Sequence, residues 1–194
     1  MNSSDFQQLI SHRRSIFPRD YTGARVDDSI VRQMIENAHH APTHKLTEPW
    51  RFVVFTGQGI QKLAAFQAQC YKQVTERDGT FRQERYEGLL TKPAQSSHII
   101  SIGMKRDPKN SVPEVEELGA VFCAVENIYL TAAVHGVACY LSTGGVTYFP
   151  EAKEFFDLGP ADKLLGFMHL GMPKEWPRPS RRSPVEDKMK WVAE

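Results

Sequence analysis

Residues 117–145 read ELGAVFCAVENIYLTAAVHGVACYLSTGG, and the fold is organised around this stretch. Apolar side chains recur at three- and four-residue spacing from Leu118 to Ala133, which predicts a helix that ends at Gly136. Because apolar side chains cover most of its circumference, we expect the helix to be buried. Residues 137–141 predict a short buried strand, and a glycine-containing loop follows it.

A membrane-spanning helix is the competing interpretation of this stretch. Glu126, Asn127 and His135 all lie within it, and such side chains are rare in a membrane segment. No other stretch of the chain has a comparable run of apolar residues. We therefore expect a soluble core helix and no contact with a membrane.

The composition is that of an ordinary soluble protein. A length of 194 residues predicts a single domain over residues 1–194, long enough to bury a core without disulfides. The formal net charge of +1 provides no field for nucleic acid, so we expect no nucleic-acid partner. Three cysteines without paired spacing, and no apolar N-terminal run before a cleavage site, favour the cytoplasm.

Helices and strands are mixed along the chain, which predicts an α+β fold with one central mixed or antiparallel sheet flanked by helices. Residues 49–56, 97–104 and 163–171 are rich in β-branched, aromatic and other apolar side chains and predict strands. A helix is expected to begin at Pro150 and continue through Phe156. The proline-rich tail beyond residue 173 is expected to be extended and to pack on a partner subunit.

Two clusters of polar residues suggest ligand binding. Arg13, Arg14 and Ser15 offer two guanidinium groups and a hydroxyl for a phosphate, although a solvated helix end has the same composition. His40 and His44 have a spacing found in metal sites. Pro42 breaks the helix that would align them, so we expect no metal.

Several segments, in the right order, resemble the nitroreductase family of FMN-dependent oxidoreductases, and within it the small YdjA-like branch. The segments are SHRRSIFPRDY at 11–21, AHHAPTHKLTEPWRFVVFTG at 38–57, ENIYLTAAVHGVACYLSTGG at 126–145, and LLGFMHLGMP followed by PSRRSPVED. The resemblance covers nearly the whole chain. It implies an α+β fold and a homodimer, with the long buried helix at the dimer interface and FMN held there.

The resemblance also implies which residues bind the cofactor. Arg13, Arg14 and Ser15 match the segment that holds the FMN phosphate and ribityl chain, so it favours the phosphate interpretation. His40 and His44 match positions that approach FMN from the other subunit, and Arg182 matches a phosphate ligand near the C-terminus. Leu141, Ser142, Thr143 and Gly144 match the stretch whose backbone lies against the isoalloxazine ring.

The activity implied by the resemblance is ping-pong hydride transfer from NADH or NADPH through FMN to a small-molecule electron acceptor. Nitroaromatics, quinones and activated alkenes are the acceptor classes. No catalytic side chain is expected, because the flavin carries the chemistry. The alternative is a module of the same fold that binds flavin or another phosphate-bearing ligand without turnover.

Overall fold

Five α-helices and four β-strands make up the part of the chain that the computed structural model describes, residues 2–178 and 181–193. The helices are α1 (Ser3–His12), α2 (Asp28–His39), α3 (Gln58–Arg77), α4 (Gln83–Thr91) and α5 (Glu114–Val134). The strands are β1 (Trp50–Thr56), β2 (His98–Met104), β3 (Ala138–Ser142) and β4 (Lys163–Gly171). The predicted α+β class is confirmed.

The four strands form one sheet in the order β1-β2-β4-β3, and every neighbouring pair is antiparallel. Of the two predicted alternatives, a mixed or an antiparallel sheet, the structure has the antiparallel sheet. One parallel bridge, between Ser15 and Cys139, joins the segment after α1 to the outer edge of β3. This bridge places the N-terminal arginine cluster beside the strand that leads into the glycine-containing loop.

Helix α5 packs with α2 on one face of the sheet. Its buried side includes Val121, Ala124, Val125 and Ile128, and acidic residues in its first turn complement the helix dipole. The helix ends as predicted, with Gly136 at φ +65°. By length and composition alone α5 could span a membrane, but half of its most apolar window is buried inside the fold, as in the core helix of a soluble protein.

Helices α3 and α4 cover the opposite face, together with residues 145–156. The helix predicted from Pro150 through Phe156 is not formed. Two 3-10 turns replace it, at Pro150–Ala152 and Glu154–Phe156, and a first 3-10 turn at Gly145–Tyr148 precedes them. Phe149 precedes a proline and is extended, at φ −86° and ψ 121°, which separates the first two turns.

The tail of residues 181–193 is exposed throughout and contains one 3-10 turn at Val185–Lys188. Its apolar side chains have no core of their own, and Trp191 is 82% exposed. The expected extended tail is thus observed apart from this turn.

Candidate functional site

A cavity of about 480 Å³ opens beside the end of β3, on the sheet face covered by α3 and α4. Aromatic rings and three cationic side chains line it, and none of its lining residues is an aspartate or glutamate. The lining residues used below are Phe17, Arg19, Tyr71, Arg85, Lys92, Tyr140, Ser142, Thr143, Gly144, Gly145, Phe167 and His169.

The segment after α1 lies against β3 next to this cavity. The Ile16 amide donates to the Cys139 carbonyl at 2.9 Å. The Tyr129 hydroxyl oxygen, on α5, accepts from the Leu141 amide at 3.0 Å and from the Ser15 hydroxyl at 3.4 Å. One buried tyrosine therefore brings together two separate parts of the predicted site, Ser15 and Leu141. Burial raises the pKa of this tyrosine, Tyr129.

The two arginines of the N-terminal cluster have different surroundings. The Arg13 guanidinium lies 5.1 Å from the Tyr129 ring centroid, and its Nε is 3.5 Å from a Glu126 carboxylate oxygen. Arg14 donates to the backbone carbonyls of Ser11, Arg13 and Arg178. Arg14 thus ties α1 to the start of the tail, whereas Arg13 stands over the corner shared with Leu141.

The backbone at residues 143–145 forms one wall of the cavity. Gly144 has φ +106°, a conformation that a side chain disfavours, and its amide donates to the Thr147 hydroxyl at 2.8 Å. Arg85 Nη2 would lie only 3.2 Å from a Cβ built on Gly145. A guanidinium group therefore lies directly against this loop.

His169 lies in the cavity wall between two serines. The Ser96 Oγ is 3.0 Å from its Nδ1, and the Ser142 Oγ is 3.3 Å from its Nε2. Burial lowers the pKa of His169 to about 4, so the imidazole is neutral at pH 7. A neutral ring can donate one hydrogen bond and accept the other, which fits a hydroxyl on each side.

Replacing His169 with glutamine is expected to reduce the acid sensitivity of the fold. The unfolded histidine binds a proton below about pH 6.5, but the native one resists protonation until about pH 4. Stability is therefore lost as the pH falls through this window. Relative to wild type, the free energy of unfolding of His169→Gln should gain about 1–2 kcal/mol between pH 7 and pH 5.

Urea unfolding at the two pH values measures this difference. His12→Gln alters an exposed imidazole at the end of α1 and serves as the control for the loss of a histidine. Parallel pH dependence in wild type and His169→Gln would contradict a buried neutral imidazole at position 169.

The two predicted histidines lie elsewhere in the protomer. His40 caps the end of α2, and His44 contacts Glu116 near the start of α5. Thirteen residues of α5 separate Glu116 from Tyr129, which is about 20 Å at the usual rise of an α-helix. Within one protomer, His44 is therefore far from the Ser15 corner.

Arg182 lies in the exposed tail. Over residues 2–178 and 181–193, no group of three potential metal ligands occurs.

Sequence reasoning missed the three cations of the cavity, Arg19, Arg85 and Lys92, and it also missed His169. His169 carried a usable signal, because it is the only polar side chain inside the otherwise apolar run LLGFMHLG. Arg85 and Lys92 carried none, since they lie in a charged helix and the turn after it, where exposed lysine and arginine are ordinary.

Comparison with known proteins identifies the fold and the family. The model of the Nitroreductase family matches residues 10–172, most of the chain. The chain belongs to the nitroreductase family. This membership confirms the resemblance found in the sequence and makes the protein a member of a family of oxidoreductase enzymes.

Curated nitroreductase relatives cover most of the chain. The chain is 25% identical over 190 residues to "Putative NAD(P)H nitroreductase YfhC" of Bacillus subtilis, covering 95% of this chain and 93% of that protein. It is 26% identical over 144 residues to "Putative NAD(P)H nitroreductase YdjA" of Escherichia coli K12, covering 74% and 76%.

Two solved nitroreductase structures match the fold over almost its full length. A nitroreductase-like family protein from Bacillus cereus superposes with a TM-score of 0.84 at 25% identity, covering 99% of this chain and 98% of that one. The FMN-dependent nitroreductase NfnB from Mycobacterium smegmatis, solved with NADPH, has a TM-score of 0.73 at 17% identity and covers 98% and 99%. At 17% identity the second likeness shows the fold alone.

Proposed function

We propose that this protein is an FMN-dependent NAD(P)H oxidoreductase in which residues 1–194 form one flavin-binding domain. The observation that carries the proposal is the joining of Ser15 and Leu141 through Tyr129, next to a cavity with cationic and aromatic walls. NfnB, which shares the fold, is FMN-dependent and was solved with NADPH. The proposal keeps the cytoplasm as the location and assigns no nucleic-acid or membrane partner.

The described residues fit a flavin mononucleotide. Its phosphate carries a charge of about −2. Arg13 lies beside Ser15, and its one ionic partner among the described residues is the partly exposed Glu126. The ring needs a wall that its face can approach closely, and Gly144 and Gly145 carry no side chains of their own. No carboxylate lines the cavity beside the proposed position of the ring.

Our assignment of Arg13 and Ser15 to the phosphate and ribityl chain rests on this geometry, whereas that of Arg182 rests on the family resemblance alone. Arg14 acts by fixing α1 to the tail through its three carbonyl contacts. The backbone of residues 141–144 lies against the ring. When bound, FMN supplies the hydride chemistry, accepting two electrons from NADH or NADPH and passing them to a nitroaromatic, quinone or activated alkene.

A homodimer completes the proposed site, because His44 is too far from Ser15 to act within one protomer. An exposed apolar strip supports the dimer: Val115 and Phe122, on one side of α5, are 73% and 46% exposed. Phe6 and Ile10, on the neighbouring α1, are 48% and 49% exposed. A strip of this kind is typical of a surface covered by a second copy.

The loop that carries His44 also supports a contact with a second copy. Lys45, Leu46 and Glu48 all have positive φ, which costs about 1–2 kcal/mol for a residue with a side chain. Leu46 is also 80% exposed. Strain combined with an exposed apolar side chain favours a loop shaped for an intermolecular contact.

Spectroscopy of the purified protein tests the proposed function. We expect the absorption bands of oxidised flavin, their loss on anaerobic addition of NADPH or NADH, and their recovery when a nitroaromatic or quinone is added. A colourless protein that takes up no FMN on reconstitution would refute the proposal. Flavin that is bound but never reoxidised by an acceptor would favour the non-catalytic module instead.

Deleting residues 184–194 is expected to weaken dimer formation. These residues include the exposed Trp191 and Val192, which gain a packing partner only outside their own protomer. Sedimentation equilibrium of the truncated and full-length proteins measures the difference. Trp191→Ala in the full chain is the matched variant and should reproduce part of the loss, whereas a truncated protein that dimerises and binds FMN as wild type does would show that the tail has no role in assembly.

A further inference from the structure

The cavity has an unusual balance of charge. Arg19, Arg85 and Lys92 line it, and no aspartate or glutamate does. Like charges around one enclosed space repel one another, and a bound anion removes that repulsion. The cavity therefore favours a ligand with a negative group.

Arg85 is the cavity cation that is free to bind a negatively charged group. Arg19 is already engaged, with its guanidinium 5.0 Å from the Phe17 ring centroid and its Nε 3.8 Å from Asp20. Within the described residues, Arg85 and Lys92 have no ion pair. Of these two side chains, only that of Arg85 has a planar guanidinium group, which can donate two parallel hydrogen bonds to a carboxylate.

The rest of the lining sets the shape of the ligand. The rings of Phe17, Tyr71, Tyr140 and Phe167 all border the cavity. Aromatic walls favour a flat ring packed in offset or edge-to-face geometry. His169 is neutral at pH 7 and both of its ring nitrogens face serine hydroxyls, so it borders the cavity without adding charge.

Arg85 also has the right position relative to the proposed reactive edge. Its guanidinium lies against the loop at Gly145, next to the backbone that we assign to the flavin ring. A ligand whose anionic group is held by Arg85 therefore has its remaining ring close to that edge.

We propose that the electron acceptor of this enzyme is an aromatic carboxylate and that Arg85 determines this specificity by pairing with the carboxylate. The identity of the ligand as an acceptor rests on the proposed function, whereas its charge and shape rest on the cavity alone.

The test compares 4-nitrobenzoate with its neutral counterpart 4-nitrobenzamide on the protein as purified. Titration calorimetry measures both dissociation constants for wild type, Arg85→Gln and the control Arg82→Gln. Arg82 is exposed, lies just before α4 and does not line the cavity. Arg85 is exposed and makes no hydrogen bond within the described residues, so the glutamine variant is expected to fold.

We expect wild type to bind the carboxylate about tenfold or more tightly than the amide, and Arg85→Gln to abolish that preference. The Arg82→Gln control should behave as wild type, and added salt should reduce the preference. In turnover, kcat/KM for 4-nitrobenzoate should fall in Arg85→Gln by a similar factor, while that for 4-nitrobenzamide stays within about twofold.

Three outcomes would overturn the inference. Wild type that binds both ligands equally shows that the cavity does not select a carboxylate. An Arg85→Gln variant that loses FMN itself assigns the cation to the cofactor, and one whose KM rises for NADPH alone assigns it to the cosubstrate phosphate. A protein that binds no FMN would refute the proposed function. Because the titration needs no turnover, the preference for 4-nitrobenzoate over 4-nitrobenzamide would still test this inference.

Discussion

Gly171→Ala is expected to lower the free energy of unfolding by about 3–5 kcal/mol, the cost of losing a buried aromatic side chain. A Cβ at position 171 would lie 2.2 Å from Cδ2 of Tyr21, far inside van der Waals contact. Tyr21 cannot move aside cheaply, because it is 5% exposed and its hydroxyl lies within 3.1 Å of the carbonyls of Ile16 and His169.

Displacing Tyr21 would also release the segment that carries the proposed phosphate ligands. Ile16 pairs with β3, and the Tyr21 hydroxyl holds the Ile16 carbonyl at 3.0 Å. We therefore expect loss of stability and weaker flavin binding in the same variant.

Chemical denaturation of Gly171→Ala and wild type measures the effect. Gly59→Ala is the matched control, because Gly59 lies within α3 and its nearest neighbour would be 3.9 Å from the new Cβ. Alanine at that helical position should stabilise by about 0.5–1 kcal/mol. Equal stability of Gly171→Ala and wild type would show that Tyr21 does not occupy the position described.

Arg13→Ala is expected to weaken FMN binding about 10- to 100-fold, which corresponds to a lost charged hydrogen bond of about 1.5–3 kcal/mol. Arg13 is the cluster arginine whose guanidinium is not committed to backbone carbonyls, and it stands over the Tyr129 ring beside Ser15. Arg14→Ala should act differently, mainly by loosening the contact between α1 and Arg178.

Fluorescence titration of flavin-free protein with FMN gives the dissociation constants. Arg25→Ala removes an exposed arginine paired with Asp28, away from the site, and should leave FMN binding unchanged. An Arg13→Ala protein that binds FMN as tightly as wild type would remove Arg13 from the proposed phosphate site.

The elements around the core were predictable from periodicity alone. The three- and four-residue spacing after residue 117 marks α5, which the structure places at Glu114–Val134. The apolar run at residues 163–171 marks β4 with the observed bounds. Both hydrophobic patterns are strong because these elements are buried on much of their surface, and a buried element requires apolar residues at regular spacing.

The cavity was not predictable in the same way. Phe17, His169 and the pair Arg85 and Lys92 come from three separate segments, and nothing in one sequence reports that these segments meet. The 3-10 turns at residues 150–156 were missed for a local reason, since the apolar side chains there resemble a helix face but the segment ends at Asp157, which has φ +55°.

The central claim is that two copies of this chain hold FMN between them, and sedimentation velocity with detection in both the protein and the visible flavin bands tests it most directly. The account predicts that the flavin signal moves with one particle of twice the 22.0 kDa chain mass. Flavin that stays behind with the solvent, or moves with a single chain, would contradict it.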